Sequence, residues 1–507
     1  MLRILASTAA VARIPDVGLQ YPIGLADRSD SPFGGGKTRK MTPLAHIPTR
    51  TGSQGCPFPA AETTADGSTT IRPARVPRGN SIRTMPGKGW LTLLLAAVAM
   101  PGMAHAAGLW VNEMGTPDLG TASAGRAALA KDAATVFGNP AGMTALDRSQ
   151  TLVGLQVVHG SVEFDRDKDA TTVSGNNGHN ASGTLPGGAL YGVHAVTDRF
   201  RLGLWHGSYF AGDFKYDSRW AGRYYVTKDE LVTLGAGINA AYKINDWLSV
   251  GGGPFALYGK LDQGGKINNL DPLRGDGDFH VSDSEVGYGG IVGVMLTPQP
   301  GTRLGVSYIS PVDLEFEDVM STSNLGPGAS AIVDRLRASD RKLGLGITVP
   351  QQVMLSGFHQ LTPKLALVAS LNWQDWSEFG KVDISVDGPT DNSATTDLDY
   401  DDTWGAALGI QYLVAPRWLW SAGVGFDTSP MGESERTPTL PLDAQYRFGT
   451  GIQHDLTENV SVGVAYQLMY GGEADLDVDR GPLSGRVKGD YSSYLFHFAN
   501  ATLVWRF

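Results

Sequence analysis

Residues 404–427 read WGAALGIQYLVAPRWLWSAGVGFD, two alternating runs around the tight turn Val414-Ala415-Pro416-Arg417-Trp418. In the first run Trp404, Ala406, Leu408, Ile410, Tyr412 and Val414 share one face, and Gly405, Ala407, Gly409 and Gln411 share the other. In the second, Trp418, Trp420, Ala422, Val424 and Phe426 oppose Ser421, Gly423 and Gly425. A period of two puts successive side chains on opposite faces of a strand, and proline beside a polar residue suits a short turn. The stretch predicts an antiparallel hairpin. One of its faces is large and apolar, with aromatics toward the strand ends; the other is glycine and small polar residues.

The same unit recurs along most of the chain. Short polar turns stand at 196–200, 243–247, 297–301, 361–364, 414–418 and 455–459. Between them lie longer polar segments at 165–183, 264–285, 321–342, 385–402 and 472–490. Short turns on one side, long loops on the other and strands apolar on one face are the pattern of an outer-membrane barrel. The alternation places strands near 150–163, 187–197, 199–212, 229–244, 246–260, 284–297, 301–317, 345–361, 364–379, 401–414, 417–428, 442–455, 459–472 and 490–507. That even number brings both ends to the short-turn side. The predicted fold class is therefore all-β: a 14-stranded antiparallel transmembrane β-barrel over residues 149–507, plugged by a small N-terminal helical hatch. A soluble β-sandwich with one buried face is the competing reading. Strands of this length, repeated this often, favour the membrane.

The chain ahead of the barrel has three parts. Residues 1–84 are Pro-, Gly-, Ser- and Arg-rich, without sustained period, and hold the single cysteine, Cys56. They read as disordered or as a misplaced start. Residues 85–106 read as a signal peptide, with Lys88 as the basic end, an apolar run from Trp90 to Met100, and Ala104-His105-Ala106 as the cleavage site. The apolar run is shorter than the ~20 residues that a membrane helix needs. A retained cytosolic tail with a buried helix at 90–100 is the alternative. Residues 107–148 form the predicted hatch. The Ala-rich stretch 121–134 reads as a short helix, and Asn139-Pro140-Ala141 as the start of a second, with Asn139 as N-cap and Pro140 at the first helical position.

Composition narrows the function. The whole chain has formal charge −10, and residues 1–106 hold 12 Lys and Arg against 5 Asp and Glu, so the remainder stands at −17. That argues against nucleic acid as a partner. Without cysteine beyond Cys56, stability comes from strand pairing and packing rather than disulfides. A mean hydropathy of −0.13 suits strands apolar on one face only. No catalytic set, metal site or cofactor motif emerges. Gly120 and Gly125 have phosphate-loop spacing, but Arg126 follows where Lys-Ser/Thr is required. Ser356 and His359 are the nearest approach to a lipase pair, and their proximity reads as coincidence. The inward set is dominated by Gly, Ala, Ser, Asn and Gln, leaving space and apolar patches suited to a hydrophobic cargo. Phe496 and Phe498 fall inward if Phe507 faces lipid. They are expected to meet either ligand or hatch. Trp505 and Phe507 end an alternating strand, a pattern similar to the signal read by barrel-assembly machinery.

These residues together carry a family resemblance. The Asn139-Pro140-Ala141 hatch motif ahead of fourteen strands resembles the FadL/TodX outer-membrane transporters of long-chain fatty acids and hydrocarbons. WAGRY at 220–224, NDWLSVG at 245–251, WSEF at 376–379, FDTSP at 426–430, LPLD at 440–443 and YRF at 446–448 support it. The resemblance spans 107–507 and implies passive uptake without a cofactor. Ligand would be captured at the loops, held in an apolar lumen, and released sideways into the membrane through a gap at a kinked third strand once the hatch moves. Gly207 and Gly212 could seat that kink, and Phe210, Arg223, Arg447, Phe496 and Phe498 are the candidate lumen contacts. A carboxylate would call for a basic partner. Arg447 is inward by alternation, yet Asp443 on the same face could neutralise it, which makes it structural. The implied setting is a monomer among lipid and lipopolysaccharide in the outer membrane of a Gram-negative bacterium. Fatty acid is the leading cargo and aromatic or aliphatic hydrocarbon the alternative. A diffusion porin would instead line its lumen with charge and lack a hatch, and an adhesive barrel would lack a lumen site. Uptake of oleate or toluene discriminates among these readings.

Overall fold

The computed structural model describes residues 114–507 apart from 270, 272, 319, 332–342 and 387–391. The readings of 1–84, 85–106 and a start at Ala107 lie outside these residues. Antiparallel strands close into a 14-stranded barrel. In order they are β1 (Gln150–Arg166), β2 (Thr184–Ala195), β3 (Phe200–Gly207, resuming at Ala211–Lys215), β4 (Lys228–Lys243), β5 (Leu248–Ile267), β6 (Gly277–Gln299) and β7 (Thr302–Ile309, then Val312–Asp318). There follow β8 (Leu343–Val349, then Gln352–Gln360), β9 (Leu365–Gln374, then Lys381–Val386), β10 (Asn392–Asp397, then Thr403–Ala415), β11 (Trp418–Asp427), β12 (Gln445–Asp455), β13 (Val460–Tyr470, then Ala474–Asp479) and β14 (Arg486–Arg506). Pairing of β1 with β14, from Gln150↔Arg506 upward, closes the ring.

The faces follow the alternation. Leu155, Ile238, Trp404 and Val464 point outward and are 57–67% exposed, as a lipid-facing surface requires. Trp505 and Phe507 lie on that face beside the short turns, their rings 5.0 Å apart. The strands overrun the predicted ends on the long-loop side. The expected loop at 264–285 is instead largely β5 and β6, paired from Gly259↔Glu285 to Ile267↔Gly277. In this region the outward positions carry charge, as in Lys228–Asp262 (2.5 Å) and Lys266–Asp278. Above the lipid the outward face is no longer apolar, and Leu261, Phe279 and Val281 are the scattered apolar residues left inside, so the pattern fades where the pairing does not.

The hatch differs from its predicted form. Residues 121–134 are not one helix. A 3₁₀ turn at Pro117–Thr121, single-turn helices at Arg126–Leu129 and Thr135–Gly138, and a 3₁₀ turn at Pro140–Ala145 are joined by bends. Ala122, Ser123 and Ala130 adopt left-handed backbone with φ of 52°, 64° and 40°. Alanine favours helix in isolation, but here the backbone itself bonds to the barrel wall and tertiary contact overrides propensity.

Candidate functional site

The inner wall is glycine where the hatch touches it. A Cβ on Gly305 would lie 1.8 Å from the Ala127 carbonyl oxygen, one on Gly423 2.1 Å from that of Thr121, and one on Gly449 2.4 Å from that of Leu119. The bare inward face of β7, β11 and β12 is therefore a seat for hatch backbone. The space expected to hold cargo at these positions is taken by the plug. Side chains of the wall then complete the hatch's hydrogen bonds. Ser356 Oγ accepts from Ala127 N (3.1 Å), Ser370 Oγ from Gly125 N (2.8 Å), and Asn239 Nδ2 donates to the Val136 carbonyl (2.7 Å). Ser356 is thus a hatch anchor. His359 bonds Thr302 instead, at 2.9 Å, on the opposite face of the same strand.

Asn139 is the centre of this anchoring and is fully buried. Its Oδ1 accepts from Ala141 N at 3.1 Å, capping the turn that Pro140 begins. Its Nδ2 donates to the Ala127 carbonyl at 2.7 Å and to that of Val294, on β6, at 3.0 Å. One side chain joins two hatch segments to the wall. A Cβ on Gly293 would come within 2.0 Å of Asn139 Oδ1, so that position is bare for the amide's sake.

A second feature lies in the wall itself. The last β2–β3 pair is Leu190↔His206, and the upper segment of β3 pairs with β4 only. Residues 184–189 of β2 pair with β1 alone. Above this break Lys215 N donates to the Ala181 carbonyl at 2.7 Å. The result is a lateral window in the β2–β3 pairing, closed above and below. Gly207 is the last residue before the interruption, and Gly212 lies within the resumed segment opposite Leu231. The break is a change of parity. Trp205, Gly207 and Tyr209 are buried at odd positions, then Phe210, Phe214 and Tyr216 at even ones, so Tyr209 and Phe210 both turn inward. Thr233 holds the bulge, its N and Oγ1 donating to the Phe210 carbonyl at 3.2 and 2.6 Å.

The two inward rings link the window to its surroundings. Tyr209 and Trp205 pack against hatch Phe137 at centroid distances of 5.6 and 4.7 Å, and both touch Phe255. Phe210 packs on Trp376 (5.8 Å) and Phe379 (5.4 Å). The other expected contacts are dispersed. Phe498 is buried inward and Phe496 half-buried beside it, their rings 6.4 Å apart. Arg223 lies in the segment between β3 and β4, bonded to Asp276 (2.6 Å) and to Tyr224 (3.0 Å). The Tyr224 phenol is pushed up to about 12, first by burial and then by its bond to Asp276. Arg447 is buried and inward, but its partner is Asp427 at 2.7 Å, while Asp443 faces Arg436 at 3.3 Å. At the short-turn end, a vestibule of about 350 Å³ is lined by Lys131, Arg148, Gln150, Arg417, Asp455 and Arg506.

Sequence reasoning missed Pro186. Residues 184–188 are exposed along the open edge of β2, and proline there has no N–H to offer a neighbouring strand. A Pro-Gly-Gly run inside an alternating strand was the available signal. The glycine seats were visible as residues but not in their purpose, since only the fold brings them against the hatch.

Comparison with known proteins agrees with this architecture. Residues 97–501 match the family model described as outer membrane protein transport protein (OMPP1/FadL/TodX). The chain is 28% identical over 419 residues to outer membrane protein P1 of Haemophilus influenzae, covering 75% of this chain and 88% of that protein. It is 24% identical over 431 residues to the long-chain fatty acid transport protein of Escherichia coli, covering 80% and 96%. Among solved structures, a Pseudomonas aeruginosa FadL homologue aligns with TM-score 0.71 at 20% identity, covering 79% of this chain and all of that one. The Pseudomonas putida toluene transporter TodX aligns at 0.57 and 16%, covering 80% and 100%. The barrel and its relatives place the protein in the outer membrane of a Gram-negative bacterium, as a transporter of hydrophobic compounds rather than an enzyme. The chain belongs to the OMPP1/FadL/TodX family of outer-membrane transport proteins.

Proposed function

We propose that the protein takes up long-chain fatty acids passively and delivers them sideways into the membrane through the β2–β3 window. The observation that carries this reading is the window: a bounded gap in strand pairing beside an interior stoppered by the hatch. An apolar molecule leaving there stays out of water throughout, which avoids the cost of hydrating its chain. Downward passage would cross the tightly seated hatch and then a vestibule lined with charge.

The aromatic contacts supply a coupling. Phe137 belongs to the hatch, and Trp205 and Tyr209 to the strand that forms the window's edge. Movement of the hatch helix at Thr135–Gly138 must repack these rings, and the bulge at 209–210 is the least paired backbone available to respond. Hydrocarbon uptake by the same route is the second reading, favoured by the TodX-like fold. The test is a deletion. Removing residues 208–210 joins Gly207 to Ala211 and keeps the alternation in step, with Gly207 and Phe214 both inward. The repaired strand can pair with β2 and close the window. Oleate uptake should fall at least tenfold while barrel abundance, followed by heat-modifiable mobility, is maintained. Undiminished uptake with an assembled barrel would refute lateral exit.

A further inference from the structure

We infer that the lipid-facing side of the β2–β3 window carries a landing site for the head group of the leaving molecule, built from His159, His206 and His497; this rests on the lateral-exit reading above. The placement of the histidines carries the inference. Among the described residues, His194, His359 and His454 stand one residue from the short-turn ends of their strands. His280 lies in the charged zone above the lipid, beside Asp262, and His179 lies between β1 and β2. His159, His206 and His497 belong to the band between. They alternate with the exposed residues Val157, Leu204 and Leu503 on their own strands and face outward with them. Those strands are β1, β3 and β14, the sector that contains the window. An ionisable side chain on a lipid-facing surface is costly, and it marks a path for a polar group.

His206 is at the foot of the opening. It is exposed, and Leu190↔His206 is the last β2–β3 pair before the strands part. His159 is at the head. Its Nδ1 meets Thr184 Oγ1 at 2.9 Å, and Thr184 is the first residue of the β2 edge left open toward β3. His497 stands directly across the β1–β14 ladder from His159, with ring centroids 6.3 Å apart. Its Nδ1 meets the Tyr466 hydroxyl at 2.7 Å. Where Thr184 and Tyr466 donate, the imidazole proton stays on Nε2, so each ring of the pair keeps a donor for a guest.

The surroundings identify the guest. Leu155 and Val157 on β1, Leu190 on β2, and Leu202 and Leu204 on β3 are exposed on the same face. An acyl chain leaving the window lies against them without meeting water. A carboxylate set among them without partners is strongly disfavoured. The histidines offer it N–H donors twice, at the foot where it clears the wall and at the head. There the exposed rings of Tyr446, Tyr466 and Tyr470 mark the outer interface. Hydrogen bonds to a charged acceptor are the stronger kind. A hydrocarbon has no acceptor and gains nothing from the three rings. A bilayer-lipid phosphate has acceptors, but it resides at the interface and does not reach His206 at the foot, so His206 assigns the site to the leaving carboxylate.

The test compares uptake of radiolabelled oleate and toluene by cells carrying the full chain as their only transporter of hydrophobic compounds. The variants are His206→Leu, His159→Leu with His497→Leu, and all three together, each matched to the wild type by heat-modifiable mobility of the inserted barrel. The triple variant should lower the ratio of oleate to toluene uptake roughly tenfold, the equilibrium worth of one hydrogen bond to a charged group, and the partial variants by less. An unchanged ratio in a correctly inserted barrel overturns the inference, and loss of co-purified lipid phosphate from the same variants would then assign the histidines to the surrounding bilayer. An equal fall in oleate and toluene uptake also overturns it, because the rings would then be supporting the strands around the window. A wild type that carries toluene but not oleate overturns it while lateral exit stands. Oleate uptake that survives deletion of 208–210 refutes lateral exit and this inference together.

Discussion

At the scale of the residue, Asn139 and the glycines opposite it explain how a plug of short, irregular turns is held without a core of its own. Replacing Asn139 by alanine removes a helix cap, a loss of about 1 kcal/mol, and also the two amide donations to Ala127 and Val294. Uptake per inserted molecule is expected to change, with barrel assembly close to normal. Loss of insertion with unaltered transport per molecule would contradict this. Gly423→Leu attacks the same contact from the wall, because even a Cβ at that position falls 2.1 Å from the Thr121 carbonyl oxygen. The flanking pairs Gly409↔Gly423 and Gly423↔Gly449 involve backbone only, so β11 still forms. Displacement of the hatch should then appear as ion conductance in a planar bilayer where the wild type is closed. A silent Gly423→Leu barrel would mean that the hatch is not the seal.

At the scale of the element, legibility followed the lipid. Where a strand crosses the membrane its outward residues are apolar, so β10, β11 and β13 could be read residue by residue, faces included. Above the membrane the outward face turns polar and the inward one keeps only scattered apolar residues, such as Leu261, Phe279 and Val281, so the upper parts of β5 and β6 read as loop. The hatch was legible as a separate segment and its cap at Asn139 as a motif, but its helix at 121–134 was not real. Alanine there permits close approach to the wall instead of favouring a helix, a distinction that a single sequence does not carry. The third strand is intermediate. Its glycines suggested a kink, yet the decisive feature is the change of parity at Tyr209 and Phe210, together with Pro186 on the facing edge. Both are visible in the letters once the two strands are known to be neighbours. Restoring the unpaired side of β3 by deleting 208–210 is the prediction proper to this scale. It should add protection from hydrogen exchange to residues 184–189 as uptake falls, and uptake lost without that protection would point to some cause other than closure.

At the scale of the whole molecule, the proposed lateral exit competes with an axial one. One is sideways at the β2–β3 window, edged by exposed residues 184–188 and the bulge at 208–210. The other is axial, past the hatch at Ala130 and Lys131 into the charged vestibule. In the proposed mechanism, the seated hatch and the charged vestibule disfavour axial exit, and the break in one ladder favours lateral exit. The net negative charge of residues 107–507 fits a lipid-bound barrel, and neither charge nor composition distinguishes the two exits. The most direct measurement is photo-crosslinking of a diazirine-bearing oleate analogue during uptake, with adducts mapped by mass spectrometry. The account predicts adducts on residues 184–189 and 208–211, at both edges of the window. Adducts confined to Ala130, Lys131 and the vestibule residues Arg148, Arg417 and Arg506 would contradict it.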